Sequence, residues 1–328
     1  MNWTPPKIAL APMAGITDAP FRAVVAGYGC DLLVSEMIAS GEMFKEHRLN
    51  KERFEHAGEG IENSVQLAGR DPDVMHTAAK YLVSQGVQMI DINMGCPAKK
   101  VISGAAGAAL MRELPLARQI IEAVATSGVA RFSVKMRLGW DDETRNAAEL
   151  AYIAQECGAV MIVVHGRTRA QFYKGSADWD AVGQVVRCVD LPVLVNGDIG
   201  TADQARDALL RSGAQGVMIG RAALGAPWRL AQIRAQLLQE APVPDPSTQE
   251  ILRLSTQHYR EMLDFYPEAM GYRIARKHLG WYMDYARTPA HLRREILQST
   301  DPQDVMRRWP DALGVGTRDA SYKEQFHA

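Results

Sequence analysis

Four cysteines in 328 residues leave little room for disulfide or metal chemistry. Cys30, Cys96, Cys157 and Cys188 are widely spaced, so neither a CxxC redox pair nor a zinc-ligand pattern is present. No metal is expected, and so cysteine-poor a chain points to a reducing compartment. Long apolar runs are missing too. No stretch reaches the ~18 residues of a membrane-spanning helix, and Ile8-Ala9-Leu10-Ala11 is too short a run for a signal peptide. A cytoplasmic protein with no membrane partner is expected. An excess of either charge is also lacking. Lys and Arg number 37 against 38 Asp and Glu, a net charge of −1. Any nucleic-acid site must therefore be a local basic patch. A glycine-rich GxGxxG turn after the first strand is absent, which disfavours a doubly wound dinucleotide fold.

What is present is β-rich segments alternating with helical patterns. The segments are Ile8–Ala11, Leu32–Met37, Ser64–Leu67, Met89–Asn93, Phe132–Met136, Val160–Val164, Pro192–Val195 and Gly216–Ile219. Val160-Met161-Ile162-Val163-Val164 is apolar on both faces, as strands of a covered parallel sheet are. Between them, Pro72–Leu82 opens with proline near a helix start and repeats at helical spacing, and Gly213 can end a helix over Ala202–Ser212. Eight such units predict an α/β fold, a (β/α)8 TIM barrel, over residues 1–240. The proline-rich segment 241–247 reads as a linker. The β signal then stops. Thr248–Phe265, Pro267–Tyr285, Pro289–Gln298 and Pro302–Arg308 predict an all-helical C-terminal domain over 248–315, with 316–328 a loose tail.

The strand ends carry the chemistry. Asp91-Ile92-Asn93-Met94-Gly95-Cys96-Pro97 puts Cys96 on a sharp turn after a strand, and active sites of barrels lie at that end. A buried structural cysteine is the plainer alternative. The other strands deliver Pro12-Met13-Ala14, Gln66, Lys135 with Arg137, His165 with Arg167, Asn196-Gly197-Asp198 and Gly220-Arg221. In a barrel these converge on one pocket. Gly197 and Gly220 let backbone N–H groups approach a phosphate, and Arg221 adds a charged partner, where barrels often bind phosphate. Lys135 reads as a surface charge, a Schiff-base nucleophile or the electrostatic partner of a reduced flavin; Gln66 and a phosphate site favour the flavin. His165 is either structural or a contact to the cofactor phosphate or substrate. Arg137 and Arg167 are placed to guide an anionic substrate. Asp198 either orients its turn or holds a ribityl hydroxyl. On the helical domain Arg273, Arg276 and Lys277 share a helix face, read either as a basic docking surface or as an ordinary solvated face. Trp281, Tyr282 and Tyr285 read as core.

With these motifs in place the chain resembles the tRNA-dihydrouridine synthases over nearly its whole length. Ile92-Asn93-Met94-Gly95-Cys96-Pro97 is the most specific element. Val65-Gln66-Leu67, Lys135-Met136-Arg137, His165-Gly166-Arg167-Thr168, Asn196-Gly197-Asp198-Ile199 and Gly220-Arg221 accompany it. Ala98-Lys99-Lys100-Val101 and Arg276-Lys277-His278 look most like the bacterial B-type, nitrogen-regulation-associated branch. The resemblance implies an FMN cofactor, reduced by NADPH, that delivers hydride to C6 of a D-loop uridine of tRNA, U17 in that branch. It makes Cys96 the acid that protonates C5; a cysteine thiol is ordinarily protonated at neutral pH. It makes the helical domain tRNA-binding, with Arg273, Arg276 and Lys277 as substrate contacts, and a monomer suffices. Two other readings of the same residues remain. One is a flavin enzyme of the dihydroorotate type acting on a free pyrimidine, which leaves the helical domain without a purpose. The other is a non-catalytic, flavin-containing RNA-binding or regulatory protein.

Overall fold

The structure is a computed structural model that describes residues 3–41, 58 and 60–315; the expected tail lies outside the described residues. Among the described residues nine parallel strands form the sheet: β1 Ile8–Leu10, β2 Leu32–Val34, β3 Ile38–Ala39, β4 Glu62–Ala68, β5 Met89–Met94, β6 Arg131–Arg137, β7 Met161–His165, β8 Val193–Asn196 and β9 Gly216–Ile219. Neighbours run β1, β9, β8, β7, β6, β5, β4, and β2 bridges β1 and β4, so the sheet closes. This is the eight-position barrel that the alternation predicts. The extra strand is a division of one expected segment. β2 and β3 pair successively along the same edge of β4, Leu32 to Val34 with Glu62 to Ser64 and then Ile38 and Ala39 with Leu67 and Ala68. The break at Ser35–Met37 is held by polar contacts. Ser35 Oγ accepts from Gln66 N at 3.0 Å, and Glu36 N donates to Thr17 O at 3.1 Å.

The period of two along each strand sorts the side chains. Ile8, Leu10, Ile90, Ile92, Ile162 and Val164 face outward into the helical layer, in the large core that the helices cover. Ala9, Leu32, Val34, Met89, Met161, Val163, Leu194 and Met218 fill the barrel interior. Continuing inward positions toward the C-terminal strand ends turn polar. Met89 is followed by Asp91 and Asn93, Val163 by His165, and Leu194 by Asn196. On β5, β7 and β8 one face thus carries an apolar floor and a polar mouth.

Helix starts follow their caps. Asp71 accepts from Asp73 N and Val74 N ahead of Pro72–Ser84, and Gly213, at φ +68°, ends Ala202–Ser212. After irregular backbone at 241–247, Ser247 and Glu250 close a capping box that starts helix Thr248–Phe265. Glu268–Ala286, Ala290–Gln298 and Pro302–Ala312 complete the helical part. The last helix outruns its expected end at Arg308 and continues through Pro310. Trp309 anchors that turn, fully buried, with Nε1 donating to Ser255 Oγ at 2.8 Å.

The helical part shares its core with the barrel. Trp228, from the segment after β9, is fully buried among Tyr259, Met262, Tyr282 and Met283 and meets Tyr285 edge-on at 5.0 Å. Burial of a side chain this large contributes several kcal/mol. Tyr266 donates its hydroxyl to Asp18 at 2.8 Å, and Phe21 packs on His278 with rings 5.0 Å apart. At Gly225 the approach is closest: a Cβ there would lie 2.3 Å from Trp281 O, so no other residue fits without moving the helix.

Candidate active site

The polar mouth opens into a cavity of about 700 Å³. Every residue expected to hold the cofactor lines it: Pro12, Met13, Ala14, Gln66, Asn93, Lys135, His165, Asn196, Gly197, Asp198, Gly220 and Arg221. So do Cys96 and Arg137.

A chain of buried hydrogen bonds fixes the side of the mouth beside Cys96. Asn93 Oδ1 accepts from Cys96 N at 2.9 Å and from Gly95 N at 3.2 Å, which holds the cysteine turn. Backbone N–H groups only donate, so the Asn93 amide nitrogen must face away, and it donates to Gln66 Oε1 at 2.7 Å. Gln66 Nε2 in turn donates to Asp91 Oδ2 at 2.7 Å, and Ser133 Oγ donates to Asp91 Oδ1 at 2.6 Å. Every amide orientation in this chain is dictated by the turn that carries Cys96. Burial pushes the Asp91 carboxyl up to about 6 against the pull of Gln66, Ser133 and Lys135.

The other side is electropositive. Lys135 Nζ donates to Asn196 Oδ1 at 3.0 Å, and Asn196 Nδ2 donates to Met218 O at 2.8 Å. Burial pulls the Lys135 ammonium down to about 8, only partly offset by Asp91. His165 is held well below the usual histidine range, by burial first and then by Lys135, Arg137, Arg167 and Arg221. It is neutral at pH 7. Arg167 Nη1 lies 3.3 Å from His165 Nε2 and can only donate, so the ring proton sits on Nδ1.

Asp198, in left-handed backbone at φ +57°, gathers the turn after β8. It accepts from Arg167 at 2.5 Å, Ala177 N at 2.8 Å and Arg221 at 3.2 Å, and these partners hold it below the usual carboxylate range despite its partial burial. Gly197 before it has φ +116°, and a Cβ would lie 2.9 Å from Ala177 and 3.0 Å from the His165 ring. The turn demands glycine on both counts. Two carboxylates, Asp91 and Asp198, against Lys135, Arg137, Arg167 and Arg221 leave positive charge at the mouth. An anionic, phosphate-bearing group fits there, with the Gly197 and Gly220 turns and Arg221 at its phosphate end and Lys135 at its ring end.

Some expected residues take other positions. Arg167 does not line the cavity; only 2% exposed, it serves Asp198 and the carbonyls of Lys174 and Gly175. Arg137, equally buried, braces the carbonyls of Gly95, Thr168 and Phe172. Arg276 donates to Ser299 O at 2.9 Å and lies over Tyr272, whereas Arg273 and Lys277 are exposed. Lys277 Nζ reaches the barrel rim at Gly15, 3.2 Å from where a Cβ would sit. Trp281, one helical turn on, lines the cavity and is only half-buried, so the core reading of it is corrected; Tyr282 is core. Phe172 and Tyr173 line the mouth at 46% and 48% exposure. Two adjacent aromatics in a polar loop were the available signal for them.

Floor, mouth and charge define a parallel-barrel protein with one electropositive pocket at the C-terminal strand ends. The family model for dihydrouridine synthase (Dus) matches residues 9–313, and the chain belongs to that family. It is 52% identical over 299 residues to a probable tRNA-dihydrouridine synthase of Rhodobacter capsulatus, covering 90% of this chain and 91% of that one. It is 43% identical over 316 residues to tRNA-dihydrouridine synthase B of Xanthomonas axonopodis pv. citri, covering 96% and 92%. Its resemblance is to the B-type. The barrel also superposes on an old yellow enzyme homologue from Zymomonas mobilis, with a TM-score of 0.51, 14% identity, and 75% and 92% of the two chains covered. That likeness is one of fold. Among the described residues no helix is long and apolar enough to cross a membrane, and no cluster of His, Cys, Asp and Glu suits a metal ion.

Proposed function

We propose that this protein is a cytoplasmic, FMN-dependent tRNA-dihydrouridine synthase that reduces the C5=C6 bond of a D-loop uridine, U17 by its B-type resemblance. The observation that carries the reading is the junction of two halves in one cavity: an electropositive, glycine-turned end and a cysteine held on a rigid turn. Bound FMN, reduced by NADPH, supplies the hydride to C6. Lys135 offsets negative charge on the flavin ring, Gln66 presents its amide edge, and Gly197, Gly220 and Arg221 hold the phosphate. Cys96 Sγ gives its proton to C5. Asn93 keeps that sulfur at one height above the pocket floor through two backbone N–H groups. Phe172 and Tyr173 offer faces on which a uracil ring can stack as it enters.

The uridine must leave its stack to reach this depth, at a cost of a few kcal/mol. Phosphate contacts by Arg273 and Lys277 on the helical face offset part of it. One chain supplies every residue named, so a monomer suffices. The test is incubation of the purified, yellow protein with NADPH and tRNA lacking dihydrouridine, with the product mapped by mass spectrometry. One D-loop dihydrouridine is expected. NADPH oxidation without any tRNA product, together with turnover of a free pyrimidine, would overturn the assignment.

A further inference from the structure

Two guanidinium groups share one tryptophan on the loops that follow β5, β6 and β7. The Arg112 and Arg169 Cζ atoms lie 4.9 and 4.5 Å from the centre of the Trp140 ring. Among the described residues neither arginine forms an ion pair, while Arg70, Arg118, Arg131, Arg145, Arg211 and Arg221 all do. Asp141 is near enough to feel Arg112, but its Oδ1 is engaged by Thr144 N and Oγ1. Arg169 Nε is buried without a hydrogen-bond partner. A buried guanidinium donor without a partner calls for an explanation, and a second guanidinium on the same ring makes an anion a fitting one. Stacking on indole keeps the planar forks ordered, so less rotamer entropy is lost when they bind.

Topology says which anion. The three residues sit on the loops after β5, β6 and β7. Arg169 N and Ala170 N donate to Gly139 O and Trp140 O and tie two of these loops together. The third loop is the one that carries Cys96, where Ala108 N donates to Cys96 O at 3.1 Å. In the closed order β6 lies four strands from β1 in either direction, diametrically across the mouth. Lys277 overhangs the β1 side at Gly15. A polynucleotide with one base in the cavity has backbone leaving the mouth on both sides of that base. The helical part covers one side. We infer that Arg112, Trp140 and Arg169 form a second RNA-backbone site, which grips phosphate flanking the inserted uridine on the side opposite the helical part. This rests on the proposed tRNA substrate and adds a location to it: the RNA is clamped across the mouth.

The experiment compares wild type with Arg112→Ala/Arg169→Ala by tRNA binding over a range of NaCl concentrations, using tRNA that lacks dihydrouridine. A roughly 10-fold or greater loss of affinity near 0.1 M salt is expected, with the slope of log K against log salt reduced by about 1 to 2. Flavin content is expected to stay at the wild-type level. Unchanged affinity and slope in a folded, yellow double variant would overturn the site while leaving the functional reading intact. Should the double variant fail to fold, Arg112→Glu alters only an exposed side chain; a larger loss supports the site, and wild-type affinity overturns it. Absence of salt-dependent tRNA binding by the wild type would sink the substrate assignment, and this site with it.

Discussion

Replacing Asp91 by asparagine tests whether the buried polar chain behind Cys96 is correctly assigned. Asp91 is fully enclosed, and burial lifts its carboxyl from 3.8 to about 6. The folded protein therefore holds this proton to higher pH than the unfolded chain does. Between those two values the folded state binds more protons, so this group's contribution to stability falls as pH rises. The cost is about 1 kcal/mol at pH 4.5 and approaches about 3 kcal/mol by pH 7.5. Asparagine removes the titration and keeps an acceptor for Gln66. Relative to wild type, Asp91→Asn should gain about 2 kcal/mol of stability between pH 4.5 and 7.5, read by urea denaturation at a series of pH values. Asp91→Ala should show the same relative slope, offset downward by roughly 1–3 kcal/mol because the Gln66 amide loses its buried acceptor. A wild-type-to-Asn difference that stays flat across this range would refute the reasoning, because Asp91 would then be no more costly to ionise in the fold than in the unfolded chain.

Other outcomes follow from the same geometry. Cys96→Ala should keep flavin and tRNA binding while turnover falls by about 10²–10⁴, the usual worth of a positioned acid; wild-type rates in a single-turnover assay would end that role. Gly197→Ala forces a side chain into left-handed backbone and onto the His165 ring, and should lower stability by at least ~1–3 kcal/mol and reduce flavin content, both measurable on the purified protein. Tyr266→Phe removes the buried bond to Asp18 and should cost about 1–3 kcal/mol in urea; an unchanged midpoint would mean that this contact between barrel and helices is idle. Lys135→Met should weaken retention of the anionic cofactor, followed by flavin release on dialysis, because it removes a buried positive charge from the lining of the cavity.

Barrel and mouth were legible in the sequence for one reason. Strand periodicity places inward positions in register, so Gln66, Asn93, Lys135, His165 and Asn196 had to converge once their strands were recognised. Gly197 and Gly220 marked their turns by composition alone. What stayed hidden depended on contacts distant in sequence. Nothing near Ser35 announces that its hydroxyl will accept from Gln66 N and split a strand. Arg167 beside His165 looks like a substrate guide until Asp198, from another strand, claims it. Trp281 has the spacing of a core residue, and only the docking of its helix onto Gly225 turns it to the cavity. The Asp91 carboxylate reads as one more strand residue until Ser133 and Gln66 close around it.

The burial of Trp228 has a consequence for how the protein is made. Its indole leaves the ribosome with the last barrel strand, yet the residues that enclose it, Tyr259 through Tyr285, are translated later. At ~5–20 residues per second this leaves a window of seconds in which a nearly finished barrel displays a large aromatic surface. A released chain truncated near residue 245 should therefore attract holding chaperones. Completion of the helical segment ends that exposure and, through Trp281, finishes the wall of the pocket in the same event.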